Sequence, residues 1–105
     1  MSEAATTTDT GIQRRFKAGD RITVRDDYPI GHIRTPVYVR GKRGVITRYL
    51  GAFKNPERLA IGKDGLPKKN LYEVRFLQTD IWQDYAGGQN DSVLLDLYEH
   101  WLERA

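Results

Sequence analysis

Residues 19–25, GDRITVR, and residues 41–50, GKRGVITRYL, decide how this chain folds. In the first stretch Ile22 and Val24 alternate with Arg21, Thr23 and Arg25, the period-two pattern of a strand with one buried and one wet face. In the second, Gly41 and Gly44 bracket Lys42 and Arg43 as a tight turn into a strand over 45–50, because glycine reaches positive φ without a Cβ clash. Working outward, residues 71–77 (LYEVRFL) alternate again, and residues 92–98 (SVLLDLY) form the last apolar run. The spacing of Leu94, Leu95, Tyr98, Trp101 and Leu102 also fits a helix face; the stretch is read as a strand through Tyr98 followed by one turn of helix. Residues 28–31 read as a turn, and residues 37–40 (VYVR) as extended chain after Pro36. The stretch 51–70 holds three Gly and two Pro with no sustained period, and 80–91 is a turn-rich connection carrying Trp82. Four or five short strands, Gly-rich turns and no long helix predict a mainly β fold, a small SH3-like barrel or roll.

Composition narrows the function. At 105 residues the chain can build one modest core. It is 39% hydrophobic and 30% charged and has no apolar run near the roughly 20 residues a membrane helix needs, so no membrane partner is expected. It contains no cysteine, which removes disulfides, thiolate ligands and a thiol nucleophile. The two histidines, His32 and His100, lie far apart, and no metal site is expected on this chain. Residues 1–15 are Thr- and Ala-rich without a signal-peptide core; they are expected to be a flexible N-terminal arm before a domain over 16–105, in a cytoplasmic protein. A long loop inside a small domain usually has a task, so 51–70 is expected to face a partner or rim a pocket, with Phe53 and Leu59 as its apolar contacts.

The net charge of +3 is unevenly spread. Between Tyr28 and Phe53 there is no acidic residue, while Arg34, Arg40, Lys42, Arg43 and Arg48 all fall there. The last fifteen residues run the other way, with Asp91, Asp96, Glu99 and Glu103 against Arg104. If 34–40 is extended, Arg34, Tyr38 and Arg40 share a face, and arginine forks on one face suit an oxyanion such as phosphate, carboxylate or an oxidised sulfur group. Catalytic machinery is absent from the pattern. Ser2 and Ser92 are the only serines and neither sits in a nucleophile elbow; Gly41 to Gly44 lacks the phosphate-loop spacing. The pairs Asp26–Asp27 and Asp80–Asp84 read as solvated turn residues.

Residues 16–20 (FKAGD) followed by 31–44 (GHIRTPVYVRGKRG) strongly resemble the opening of the C-terminal half of the nitrile hydratase beta subunit. Further elements match in order: 51–53 (GAF), 71–76 (LYEVRF), the Trp82 connection and 91–98 (DSVLLDLY). The resemblance implies an SH3-like barrel that packs on an alpha-type subunit, whose cysteine motif, oxidised to sulfinic and sulfenic groups, holds cobalt or iron. It implies no cofactor on this chain. Beta-subunit arginines of that family hydrogen-bond the oxidised sulfurs; carried over, Arg40 is expected as the main contact and Arg34 as a second, with His32, Tyr38, Phe53 and Leu59 at the pocket or interface. The family's beta subunit also has a helical N-terminal half with no counterpart in this sequence, so a separate beta N-terminal-type subunit is an expected partner, as in thiocyanate hydrolase and three-subunit nitrile hydratases. The leading expectation is a subunit of a nitrile hydratase, inactive in isolation. The alternatives are a metallochaperone that activates the alpha subunit, a thiocyanate hydrolase subunit, and an SH3-like nucleic-acid-binding domain using Arg40, Lys42 and Arg43 on phosphates; nucleic acid is the least expected partner.

Overall fold

The computed structural model describes residues 13–29 and 33–105. Five strands form one antiparallel sheet in the order β4-β3-β2-β1-β5: β1 Arg21–Val24, β2 Arg43–Phe53, β3 Lys69–Leu77, β4 Ser92–Tyr98 and β5 Leu102–Arg104. Two short helices, α1 Pro56–Leu59 and α2 Gln78–Ile81, and two 3₁₀ turns, Val37–Val39 and Glu99–Trp101, complete it. The expected mainly β, SH3-like architecture is what the chain adopts.

Connectivity forces the sheet to curl. β4 and β5 are its two edges, yet only the Glu99–Trp101 turn separates them. From Tyr98 to Leu102 the chain spans at most about 14 Å, whereas the edges of a flat five-stranded sheet lie about 19 Å apart. The bend is built into β2, whose register against β3 shifts between Ile46 and Arg48 and again between Tyr49 and Gly51. Such bulges raise local twist and turn the strand. At the first one Thr47 Oγ1 donates 2.9 Å to the carbonyl of Glu73, satisfying an acceptor beside the broken ladder.

The inward faces follow the alternation read from sequence: Ile22 and Val24 of β1, Ile46 of β2, and Tyr72, Val74 and Phe76 of β3 are fully buried. Trp101 and Leu102 close the core where β5 begins. Below this core, Glu99 Oε2 gathers Tyr72 Oη (2.6 Å), Asn70 Nδ2 (3.1 Å) and the Arg15 amide (2.9 Å). Gln13 and Arg15, part of the segment expected to be an arm, are therefore hydrogen-bonded to the domain, the Gln13 carbonyl to Asn70 and the Arg15 carbonyl to Arg104. Residues 1–12 and 30–32, including His32, lie outside the described residues.

Four sequence expectations need correction. Residues 37–40 are not extended: the Val39 amide bonds the Pro36 carbonyl (3.2 Å) and the Arg40 amide bonds the Val37 carbonyl (3.1 Å), so Val37–Val39 is a 3₁₀ turn. Arg34 and Arg40 consequently do not share a strand face. The loop expected over 51–70 is shorter, because β2 runs on to Phe53 and α1 occupies Pro56–Leu59. The connection after β3 opens with α2, which buries Ile81. β5 has three residues, too few for a periodic signal, and owes its strand state to pairing with β1.

Gly44 shows how tightly the core is filled. A Cβ there would stand 2.8 Å from Phe76 and Val74 side-chain atoms. Gly44→Ala is expected to cost about 1–3 kcal/mol, read as a lower urea midpoint with an unchanged slope.

Candidate functional site

The chain between β1 and β2 is held by one side chain. Arg40 is buried, and its guanidinium points into the protein: Nε and Nη2 both donate to the Thr35 carbonyl, at 3.2 and 2.7 Å, while Nη1 donates to the Asp27 carbonyl at 3.0 Å. Its Cζ also lies 4.8 Å from the Trp101 ring centroid. A forked cation can grip two carbonyls at once and still stack on an aromatic face; lysine offers neither. This clamp fixes the backbone of Thr35, the residue after Arg34. Arg34 itself is exposed, and among the described residues its guanidinium has no hydrogen-bond or ion-pair partner.

The second wall comes from the segment after β2. Asn55 caps α1 by accepting from the Glu57 amide at 3.0 Å, and Pro56 fills the first helical position. Glu57 then reaches across to Trp101, whose indole Nε1 donates to Glu57 Oε2 at 2.6 Å, with His100 Nε2 3.3 Å from the same oxygen. Both walls thus meet at Trp101, which Arg25 also approaches, its Cζ 5.3 Å from the ring. Between them lies an open groove of about 640 Å³ lined by Ile33, Arg34, Pro56, Leu59 and Ala60. Tyr98 is close enough that the Arg34 charge acts on it: burial raises its hydroxyl above the usual value and Arg34 opposes the rise.

The groove joins some of the residues singled out from sequence and leaves out others. Arg34 and Leu59 come together, which makes part of the long 51–70 stretch a rim of this groove. Phe53 is exposed at the far end of β2 opposite Lys69, and Tyr38 stacks on Trp82 with centroids 5.4 Å apart; neither lines the groove. Arg40, expected as the main partner contact, is occupied inside the fold. The sequence reading missed Glu57 and Trp101. The Asn55-Pro56-Glu57 run is a helix-start signal that could have placed α1, but no local pattern pairs Glu57 with a tryptophan more than forty residues on. Among the described residues no three His, Cys, Asp or Glu side chains cluster as metal ligands, and no helix is long and apolar enough to cross a membrane.

Residues 5–104 match the model of the nitrile hydratase beta subunit, C-terminal family. The chain belongs to that family. It is 40% identical over 91 residues to the nitrile hydratase subunit beta of Pseudomonas chlororaphis, covering 86% of this chain and 40% of that one. It is 36% identical over 89 residues to the cobalt-containing nitrile hydratase subunit beta of Pseudonocardia thermophila, covering 85% and 37%. With the thiocyanate hydrolase subunit alpha of Thiobacillus thioparus it shares 30% over 95 residues, 87% of this chain and 72% of that one. A solved structure of the recombinant apo-enzyme thiocyanate hydrolase from the same organism superposes with a TM-score of 0.86 at 28% identity, covering 93% of this chain and 82% of that chain. This beta C-terminal-type chain spans about 40% of the length of the nitrile hydratase beta subunit from Pseudomonas chlororaphis.

Two stability predictions follow from the geometry. Arg40→Lys removes the fork that holds Thr35 and Asp27 and should cost about 2 kcal/mol or more, whereas Arg34→Lys should stay within about 0.5 kcal/mol of the parent; chemical denaturation of the two variants checks the contrast. The other concerns pH. With Nε2–H directed at Glu57, His100 Nδ1 is buried without a partner, so a second proton there would be a stranded donor. Burial accordingly holds the imidazole below its ordinary 6.5, against the pull of Glu57. The unfolded chain then takes up the proton first as pH falls, so this contribution is complete above about 6.5 and is lost below it. Denaturation midpoints between pH 8 and pH 5 should fall for the parent and fall less for His100→Gln.

Proposed function

We propose that this chain is a beta-type subunit of a nitrile hydratase, in which it binds an alpha-type partner and presents Arg34 and the groove beside it to the partner's metal centre. The observation that carries this reading is an exposed arginine with no hydrogen-bond or ion-pair partner among the described residues, held at the mouth of an apolar-walled groove by a buried clamp. The roles of the two arginines expected from sequence divide accordingly: Arg34 reaches the partner, and Arg40 positions it. A chain without cysteine and without a ligand cluster among its described residues does not fit as the holder of cobalt or iron, and the reading places the metal on the alpha-type subunit. Bound there, the metal would supply Lewis-acid activation for adding water to the nitrile. Arg34 would donate charge-assisted hydrogen bonds to oxyanions of the oxidised cysteines, while Ile33, Pro56 and Leu59 exclude water beside the substrate.

The test is turnover of the reconstituted complex. Removing one side of a buried charged contact costs on the order of 2–5 kcal/mol, so Arg34→Gln should lose most nitrile hydration while this chain keeps its fold. Arg48→Lys, on an exposed pair with Glu73, should be near the parent. Full turnover by the Arg34→Gln complex overturns the assignment. A thiocyanate hydrolase subunit is the second reading, favoured by the likeness to that enzyme's chain; the same complex turning over thiocyanate and not nitriles selects it. Metal-free, partner-free chain is expected to hydrate no nitrile.

A further inference from the structure

The two edges of the sheet are finished differently. β5 has three residues, two of them the charged Glu103 and Arg104, and a short charged edge resists pairing with another chain. β4 has seven residues, SVLLDLY, in one unbroken register against β3, with no proline, glycine or lysine among them. Among the described residues, the backbone hydrogen bonds outside the strand ladders reach none of residues 92–97, so the side of β4 away from β3 is open. Apolar surface accompanies it. Leu94 points outward and is 53% exposed, while Val93 and Leu95 face the core and are still only partly covered. One charge interrupts the strand: Asp96 stands directly opposite Glu73 on β3, and like charges so placed repel. Glu73 is answered by Arg48, whose Nε lies 3.4 Å away, but among the described residues Asp96 has no hydrogen-bond or ion-pair partner. Arg75, opposite Leu94 on the same face, makes no ion pair with Asp96; toward β2 it borders a cleft that it shares with Asp80 and Ala105.

A second copy of this chain supplies what the edge lacks. Two β4 strands pairing antiparallel about a twofold axis set one residue opposite itself, and the charges decide which. Centred on Asp96, two carboxylates meet face to face. Centred on Leu94, Asp96 falls opposite Ser92, whose β3 neighbour is Leu77, and no cation stands in that row. Centred on Leu95, Asp96 falls opposite Leu94 of the second copy, and the next residue in the row is that copy's Arg75. Two strand spacings are about 10 Å, which an arginine and an aspartate side chain bridge together over Leu94. The twofold makes this pair twice. The inward rows are then apolar throughout, Leu95 on Leu95 and Val93 on Leu97, so the half-open core residues of each copy are covered by the other.

We infer that β4 is a self-association edge, through which two copies of this chain join into one continuous sheet centred on Leu95. The full chain is followed by sedimentation velocity from micromolar to millimolar concentration, with hydrogen exchange at both ends of the range. A monomer–dimer equilibrium is expected, with amide protection gained at alternate positions of 92–97 as the dimer forms. Arg75→Asp and Asp96→Arg should each weaken the dimer by about tenfold or more, since each sets like charges over Leu94. An equimolar mixture of the two variants should dimerise about as well as the parent, because both cross-copy pairs are then restored; such rescue also shows that both variants are folded. Glu103→Gln, on the other edge, should match the parent. The inference is overturned by a monomer at every concentration, by protection gained outside 92–97 only, by a mixture that associates no better than either variant alone, or by Glu103→Gln weakening the dimer as much as Asp96→Arg. Protection of 92–97 that arises only when an alpha-type partner is added gives the edge to that partner and overturns it equally.

Discussion

The indole of Trp101 is where the separate parts of this small domain are joined. Arg40 brings the chain between β1 and β2 to its ring, Arg25 brings the end of β1, and Glu57 brings α1 to its Nε1. Each contact uses a different property of one side chain: an electron-rich face for the cations and a single N–H for the carboxylate. In a 105-residue chain the core alone leaves two long connections without much apolar surface to bury. Anchoring both to one buried aromatic fixes them at small cost in hydrophobic area.

The groove is a consequence of that economy. Its walls, Ile33–Arg34 and Pro56–Ala60, belong to no strand of the sheet, and each is positioned through a residue that lies outside the groove, Arg40 on one side and Glu57 on the other. Buried polar clamps of this type hold a loop in one conformation because an unmade bond in the interior costs more than a made one gains. Arg34 can therefore remain exposed and, among the described residues, unpaired without being loosely placed.

The sheet and the site depend on each other through the short turn at Glu99–Trp101. Curling the sheet brings β4 and β5 within the reach of three residues, and the last of those residues is the tryptophan that organises the groove. Beyond the bulged strand β2, α1 reaches that same turn through Glu57, which accepts from Trp101.

The sequence by itself determined the class of the fold, since the alternation at 21–24, 71–77 and 92–98 sets which side chains face inward, and a period of two leaves little freedom once one face is apolar. It also carried the family, through motifs spread along most of the chain, and it excluded thiolate chemistry by composition. Only the tertiary structure decided which arginine is free. Arg34 and Arg40 sit in the same basic run and have the same intrinsic chemistry; they differ because Trp101, far away in sequence, lies under one of them, and because the 3₁₀ turn at Val37–Val39 breaks the parity that would have put both on one face. The strand state of Leu102–Arg104 and the meeting of Glu57 with Trp101 were undecided in the sequence for the same reason: each depends on a partner brought close by the curled sheet, and no local pattern encodes a contact of that range.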